Sequence, residues 1–325
     1  MTEHISTGEI LFLKAVKDGI PNRDPLRESD ARRIFGEDDG RISLSDVSIK
    51  RDVRDYILAR YPDGGPDKSM FVFVRKERTA DNKLLGRDKL SESLLKNAGR
   101  DKDTDLQQAL MRSAFDTRVF GAVFSVKGKS FNQCGPVQFG WAHSLHPVET
   151  KYVQGTVVMP AKDATIKEDG ESEGSTQGTI WTSYTLPFAV FAMPGVVNAS
   201  IAGATGMSAA DMDTLNEALW KGTHHRQARG RGMQQPVFLL HVEYKDPFFR
   251  IGYLEEGLRL EPGRETWLGS HPPTSLAEVN LNVEGLATVL HENAAHIRRA
   301  RVWLAPQLQL SGDLPAERAV WNGSS

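Results

Sequence analysis

Apolar residues run almost unbroken from Gly8 to Lys17 (GEILFLKAVK) and stop at Gly19 and Pro21, which predicts a strand. Both of its faces carry apolar side chains, so it belongs in the middle of a sheet. From Ile20 to Leu44 the chain turns polar, and Pro21, Pro25, Gly36 and Gly40 forbid a long regular element. A loop of that size in a folded chain is more often functional than idle. Ser45 and Asp46 are N-cap residues for a helix reaching to about Tyr61, with Ile49, Val53, Tyr56 and Ile57 on the buried side and Lys50, Arg51 and Arg54 together on another. Met70–Val74 (MFVFV) reads as a second buried strand, and 84–98 and 104–113 read as helices. Segments 119–126, 135–148 and 179–190 are strand-like, rich in Val, Phe, Thr and Trp. Between the last two, 162–178 is polar and acidic with almost nothing to bury, and reads as a mobile loop tip. Ser208 caps a helix over 209–222, and a strand follows over 236–244. A helix is expected over 283–302, with loose chain after Pro306 and no internal repeat.

Composition changes this picture little. With 39% apolar, 25% charged and 8% aromatic residues, the 325-residue chain has the make-up of a folded soluble protein of one large domain or two. The formal charge of −2 gives no bulk attraction to nucleic acid or membrane, so a basic site must be local. The one cysteine, Cys134, allows no internal disulfide and suits a reducing compartment; with no bilayer-length apolar run and no signal-peptide pattern, the cytoplasm is expected.

Several catalytic motifs fail on geometry. In HENAAH (His291–His296) the histidines are five apart rather than four, and diverge by roughly 140° on a helix. Gly128-Lys129-Ser130 lacks the P-loop glycine, for Val123 stands there, and Gly170–Gly174 places G-x-S-x-G in the acidic loop rather than at a strand-to-helix turn. His224 and His225 are adjacent and project apart, and Cys134 has no motif partner. Neither a catalytic residue nor a metal ligand is assigned.

Three segments retain chemistry. The loop Asn22-Arg23-Asp24, with the helix carrying Ser45, Ser48, Lys50, Arg51 and Arg54, offers cationic forks and hydroxyl donors on a rigid edge, as a phosphodiester backbone requires. The competing reading is a solvated helix face on which Asp52 and Asp55 partly neutralise the cations. THHRQARGRGM (Thr223–Met233) sets Arg226, Arg229 and Arg231 among Gly230 and Gly232, suited to close approach of an RNA strand or to an ordinary surface loop. In 116–121 and 135–140, Arg118, Gln138 and Phe139 offer charge, amide and stacking surface.

Taken together, PNRDP (Pro21–Pro25), SDVSIKRDVRDY (Ser45–Tyr56), DTRVFG (Asp116–Gly121), GPVQFGWAHSLHPVE (Gly135–Glu149), VNASIAGATGMSAADM (Val197–Met212) and ARGRGM (Ala228–Met233) resemble the Cas-seven family of the RAMP superfamily, the backbone subunit of type I CRISPR Cascade complexes. The likeness is greatest to the type I-B and I-C branches, with I-B the placement here. It departs where relatives read NPNGDP and YGLY, which here are Ile20–Pro25 and Tyr184–Pro187, and the chain after Tyr244 finds no match.

The resemblance implies an α+β, right-hand-shaped protein with an RRM-like, ferredoxin-like palm, a finger insertion and a β-hairpin thumb. The corresponding divisions are 1–61 (palm: first strand, loop and helix), 62–115 (fingers), 116–142 (palm strands), 143–178 (thumb with acidic tip), 179–260 (second half of the palm) and 261–325 (C-terminal extension). It implies a non-catalytic CRISPR RNA-binding subunit that polymerises head to tail along the guide and presents it to a target DNA strand, beside other Cascade subunits, with no cofactor other than that RNA and no membrane partner. Near-neutral charge suits copies that must pack together. The RNA contacts expected are Asn22, Arg23, Ser45, Ser48, Lys50, Arg51, Arg54, Arg118, Gln138, Arg226, Arg229 and Arg231, with Met159 as a base-displacing wedge. Two other readings stand beside it: a metal-dependent endoribonuclease of the type III kind using Asp24, with Asp30 in the same loop, and a β-rich interaction domain that binds no RNA.

Overall fold

In a computed structural model that describes residues 5–27, 30–126, 128–157, 165–166, 172–173 and 180–321, the first strand has the predicted bounds, β1 (Gly8–Lys17). Ile10, Leu11, Phe12, Leu13 and Val16 are buried, as a strand covered on both faces demands. After the long loop come β2 (Ser43–Leu44) and α1 (Asp46–Arg60). An insertion follows with α2 (Arg87–Asn97), α3 (Leu106–Ser113), α4 (Phe115–Phe120) and the hairpin β3 (Gly121–Val126) and β4 (Lys129–Cys134). The chain returns through β5 (Val137–Phe139) and β6 (Ala142–Ser144), then leaves again in β7 (Lys151–Thr156), the two-residue strands β8 (Thr165–Ile166) and β9 (Ser172–Glu173), and β10 (Ile180–Thr185). Next are β11 (Phe188–Val197), α5 (Ala199–Thr205), α6 (Ala209–His225) and β12 (Met233–Tyr244). The C-terminal part adds β13 (Arg259–Glu261), α7 (Arg264–Trp267), β14 (Asn280–Asn282), α8 (Glu284–Glu292), β15 (Ile297–Leu304), β16 (Gln309–Ser311) and β17 (Glu317–Arg318).

The main sheet runs β17-β15-β12-β1-β11-β6-β2, with β5 also on β11; β1 is antiparallel to both of its neighbours. Helices α1 and α6 pack together and share their buried side chains, Ile49, Val53, Leu215 and Leu219, with the strands. Gly222 permits this closeness, because a Cβ there would meet the Asp52 carbonyl oxygen at 2.5 Å. Ser208 begins α6 with a reciprocal capping box to Asp211.

The insertion has its own core of Phe71, Phe73, Leu90, Leu94, Leu95, Leu110 and Phe124. Three expectations are corrected here. Met70–Val74 is buried only at Phe71–Phe73 and makes only one bridge, Phe71 to Ala114, because the Asp116 carboxylate takes the N–H groups of Phe73 and Val74 at 2.8 and 3.0 Å. The expected strand over 119–126 starts as helix, and its hairpin β3–β4 pairs only with itself and stacks Phe124 on Phe131, so it belongs to the insertion rather than to the main sheet. His143 pairs within the main sheet, so the outlying hairpin begins at Lys151 and closes at Thr185, where β7 pairs with β10. Most of the acidic stretch, and Met159, lie outside the described residues.

The C-terminal reading is corrected too. Helix α8 ends at Glu292, and Ile297–Leu304 forms a strand instead, pairing with β12 and burying Ala300, Val302 and Trp303. Arg and Ala favour helix, but the open edge of β12 offers a ladder and an apolar face, and tertiary pairing overrides propensity. The segment beyond Pro306 is likewise ordered, with β16 parallel to β14 and β17 parallel to β15. Among the described residues no helix is long and apolar enough to cross a membrane.

His146, after β6, links these parts. Its Nδ1–H donates to the Pro147 carbonyl at 3.0 Å, its Nε2 accepts the Val190 N–H at 3.2 Å, and its ring stacks on Trp267. Burial lowers its pKa from 6.5 to about 4, because a second ring proton would face a donor in an apolar setting. The unfolded chain therefore binds the extra proton first. The neutral ring contributes its full stability above pH 6.5, and this is lost as pH falls toward about 4, by roughly 3 kcal/mol. Urea titrations across this range should show the decline in the wild type and a flatter profile in His146→Gln; parallel profiles would contradict the assignment.

Candidate nucleic-acid interface

The predicted cations of α1 do not form one stripe. Lys50 and Arg51 stand about 100° apart on a helix, and their surroundings differ accordingly. Lys50 pairs with Asp46 at 2.9 Å, donates to Gln138 Oε1 at 3.3 Å and lies 5.5 Å from the Phe120 ring centroid. Arg54 sits over the same ring at 5.5 Å but is buried, its Nε 2.8 Å from Asp116. Gln138 completes this group by donating to the carbonyls of Phe120 and Gly135. Arg51 turns the other way and pairs with Asp55 at 2.7 Å.

Arg54 and Arg118 are corrections. Arg118 is buried, grips Asp211 at 2.7 and 3.0 Å, and donates to the carbonyls of Ser69 and Met111. Asp211 is also the capping-box partner of Ser208 in the first turn of α6, so Arg118 fastens the insertion to that helix. Both guanidiniums are ion-paired inside the chain rather than at its surface. Arg23 is also engaged: it donates to Ser183 Oγ at 2.6 Å and to the carbonyls of Tyr184 and Gly230, fixing the base of the β7–β10 hairpin beside a cavity of about 310 Å³. Burial lowers its pKa from the usual arginine value. Asn22 Oδ1 accepts from both the N–H and the hydroxyl of Ser45, each at 2.9 Å, so the two residues lock the loop onto the start of α1.

The centre of the site is a residue that sequence reasoning treated only as a neutraliser. Asp52, 1% exposed, receives three cations: Lys14 from β1 at 3.2 Å, Arg226 from the end of α6 at 2.8 Å, and Arg231 from the turn Arg229–Arg231 at 3.0 Å. Arg226 also reaches Asp55 at 3.2 Å and the Ser48 carbonyl at 3.3 Å. Ser48 is buried, and its Oγ has no partner among the described residues. Arg229 lies in the same turn, with its side chain outside what is described. The turn is pressed onto the end of β1, where a Cβ on Gly19 would meet Gly232 N at 2.0 Å, and Gly232 itself has φ +72°.

Arginines 51, 226 and 231 outnumber the carboxylates of Asp52 and Asp55, and Lys14 adds to the excess. Burial lowers the pKa of Lys14, while Asp52 beside it works against that. The cluster is therefore locally positive on a nearly neutral chain, with Arg51 and Arg226 reaching solvent at 37% and 27% side-chain exposure. One sequence signal for Lys14 existed: a lone ammonium inside the run ILFLKAV demands a carboxylate from the covering helix.

Comparison with known proteins places this arrangement in context. A family model described as CRISPR-associated protein Cas7 matches residues 6–284. A curated protein of Haloferax volcanii with the same description is 26% identical over 282 residues, covering 79% of this chain and 76% of its own. Among solved structures, a chain of a "CRISPR RNA-guided surveillance complex, pre-nicking" is similar with TM-score 0.57 and 16% identity, covering 97% of this chain and 96% of its own. A chain of a "CRISPR RNA-guided surveillance complex" has TM-score 0.51 and 15% identity, covering 95% and 94%. At such identities these two likenesses speak to the shared mixed α/β fold.

Removing the shared carboxylate should cost far more than removing one of its partners. Asp52→Asn is expected to destabilise the chain by roughly 3–5 kcal/mol, because three cations lose their common anion. Lys14→Met should cost clearly less, since Asp52 keeps both arginines. Chemical denaturation of both variants checks this, and equal losses would make Lys14 rather than Asp52 the hub.

Proposed function

The chain belongs to the CRISPR-associated Cas7 family, and on that premise we propose that it is a non-catalytic, CRISPR RNA-binding backbone subunit of a type I surveillance complex, in the I-B/I-C branch. The observation that carries this reading is the positive cluster around Asp52, built where β1, α1, the end of α6 and the glycine-flanked turn meet. Phosphate groups need fixed donors and excess positive charge but no base readout. Arg51 and Arg226 supply that at the surface, with the largely covered Lys50 beside them on α1, while Asn22, Ser45, Gln138 and Arg23 position the backbone around them.

The RRM-like palm is supported by the chain order β1-α1-β6-β11-α6-β12 and the sheet order β12-β1-β11-β6, with the two helices packed together. The separately cored insertion is the proposed finger region, and the β7–β10 hairpin the proposed thumb. Copies are proposed to line up head to tail on the guide, leaving its bases for a target DNA strand, in company with other subunits in the cytoplasm. The endoribonuclease reading loses ground at Asp24, whose Oδ1 accepts the Leu26 N–H at 3.0 Å and whose backbone N–H bonds to Asp30, the behaviour of a turn former.

Protein purified from cells expressing its own guides should carry RNA of uniform length, and nucleic-acid-free monomer would contradict the proposal. Lys50→Ala combined with Arg51→Ala should weaken single-stranded RNA binding equally for unrelated sequences. It should also flatten the log–log salt slope by about 1.4, at roughly 0.7 per phosphate contact. A sequence-selective loss would refute phosphate gripping.

A further inference from the structure

Phe248 and Phe249 follow β12 side by side and part at once. Phe249 turns inward and stacks with Tyr244 and His296 at centroid distances of 5.3 and 4.1 Å, whereas Phe248 is 90% exposed. Tyr253, in the same loop, is 75% exposed and holds a left-handed backbone with φ +51°. That conformation is costly for a bulky residue, and a ring left in water returns nothing to folding. The loop carrying both rings is nevertheless firmly held. Glu9, buried near the start of β1, takes the Tyr244 hydroxyl and the N–H groups of Ile251 and Gly252 at 2.9 and 3.1 Å, and Asp246 Oδ1 accepts the Phe248 N–H at 2.8 Å. A rigid support, a strained tyrosine and two outward rings are the make-up of an interface anchor.

At the other end of the main sheet lies a cavity of about 690 Å³. Phe188 and Trp267, stacked at 6.3 Å, line it together with Pro147, Val148 and the exposed Leu268. Its lining is also charged: Arg33 is engaged with the Gly40 and Val148 carbonyls, and Glu37, Glu149 and Lys151 are exposed. The register of β1 fixes the separation. Gly8 stands opposite Glu243, beside the loop, and Lys17 opposite Phe188, beside the cavity, at the two ends of a ten-residue strand about 30 Å long. Rings and cavity therefore do not meet within one chain. A contact from one copy's loop to the next copy's cavity leaves a loop free at one end and a cavity free at the other, so it extends an assembly instead of closing a pair.

We propose that Phe248 and Tyr253 of one copy seat in the Phe188–Trp267 cavity of a second copy, which makes this the head-to-tail contact of the assembly. The inference rests on the backbone-subunit reading above. An aromatic lining suits aromatic anchors. Arg250, exposed and in no ion pair among the described residues, lies between the two rings in sequence and suits the exposed carboxylates of Glu37 and Glu149.

The test places the full chain on oligouridine of two lengths, one holding a single copy and one holding several, with bound copies counted by native mass spectrometry. Wild type should fill the long strand cooperatively. Phe248→Ser combined with Tyr253→Gly removes the rings and relieves the backbone at 253, and Leu268→Arg sets a cation at the cavity against Arg250. Both variants should melt with the wild type and keep its affinity for the short strand. Each should raise the concentration needed for multiple occupancy roughly tenfold or more. Mixing the two should restore pairs, through the intact loop of one and the intact cavity of the other, and nothing longer. Undiminished cooperative filling by either variant, a mixture without pairs, or wild-type filling without cooperativity overturns this contact and leaves the RNA reading standing. No wild-type binding to the short strand overturns that reading and the inference with it.

Discussion

The carboxylate of Asp52 is the constraint on which the proposed surface depends. It lies on α1, and its three cations arrive from a central strand, the end of α6 and the following turn, so one buried anion sets the spacing of four segments distant in sequence. A buried charge shared this way is expensive to break, because every partner left behind would be an uncompensated ion. The same arrangement concentrates positive charge at one place on a chain of net charge −2. A strongly basic protein would attract polyanions everywhere; here the attraction is confined to where geometry can use it.

Two further carboxylates repeat the device at the insertion. Asp116 receives Arg54 and the backbone of Phe73 and Val74, and Asp211 receives Arg118 while completing the capping box of α6. The arginines of this protein thus differ in how far they reach outward, though Arg226 both joins α6 to α1 and meets solvent. Exposure separates them: Arg54 and Arg118 are buried, whereas Arg51 and Arg226 reach water.

Elements whose pattern is local were legible in the sequence. The apolar run of β1, the amphipathic helix α1, the capped helix α6 and most of β12 fall where periodicity puts them, because their own side chains dictate strand or helix. Errors arose where a distant partner decides. Phe71–Phe73 looks like strand, yet a carboxylate at Asp116 takes the donors a neighbouring strand would need. Arg299 and Arg301 look helical until β12 offers them a ladder. Type and spacing single out the cations, but burial is invisible in one sequence, so Arg54 and Arg118 were indistinguishable from Arg51. Lys14 stands out as a lone ammonium in an apolar run, but its pairing with Asp52 emerges only when β1 and α1 are brought together.

The addition of β15 to the main sheet has a consequence for how the polypeptide tolerates shortening. All of the recognisable landmarks lie before Tyr244, and the family match ends at residue 284, which makes everything beyond look dispensable. Yet β12 bonds to β15 from Phe238 to Tyr244, covering one side of a twelve-residue strand beside β1. A truncation there would bare a long, flat, apolar seam of unpaired amides and carbonyls, an invitation to misassociation between molecules. The tail is the selvedge that keeps the central fabric from unravelling into its neighbours.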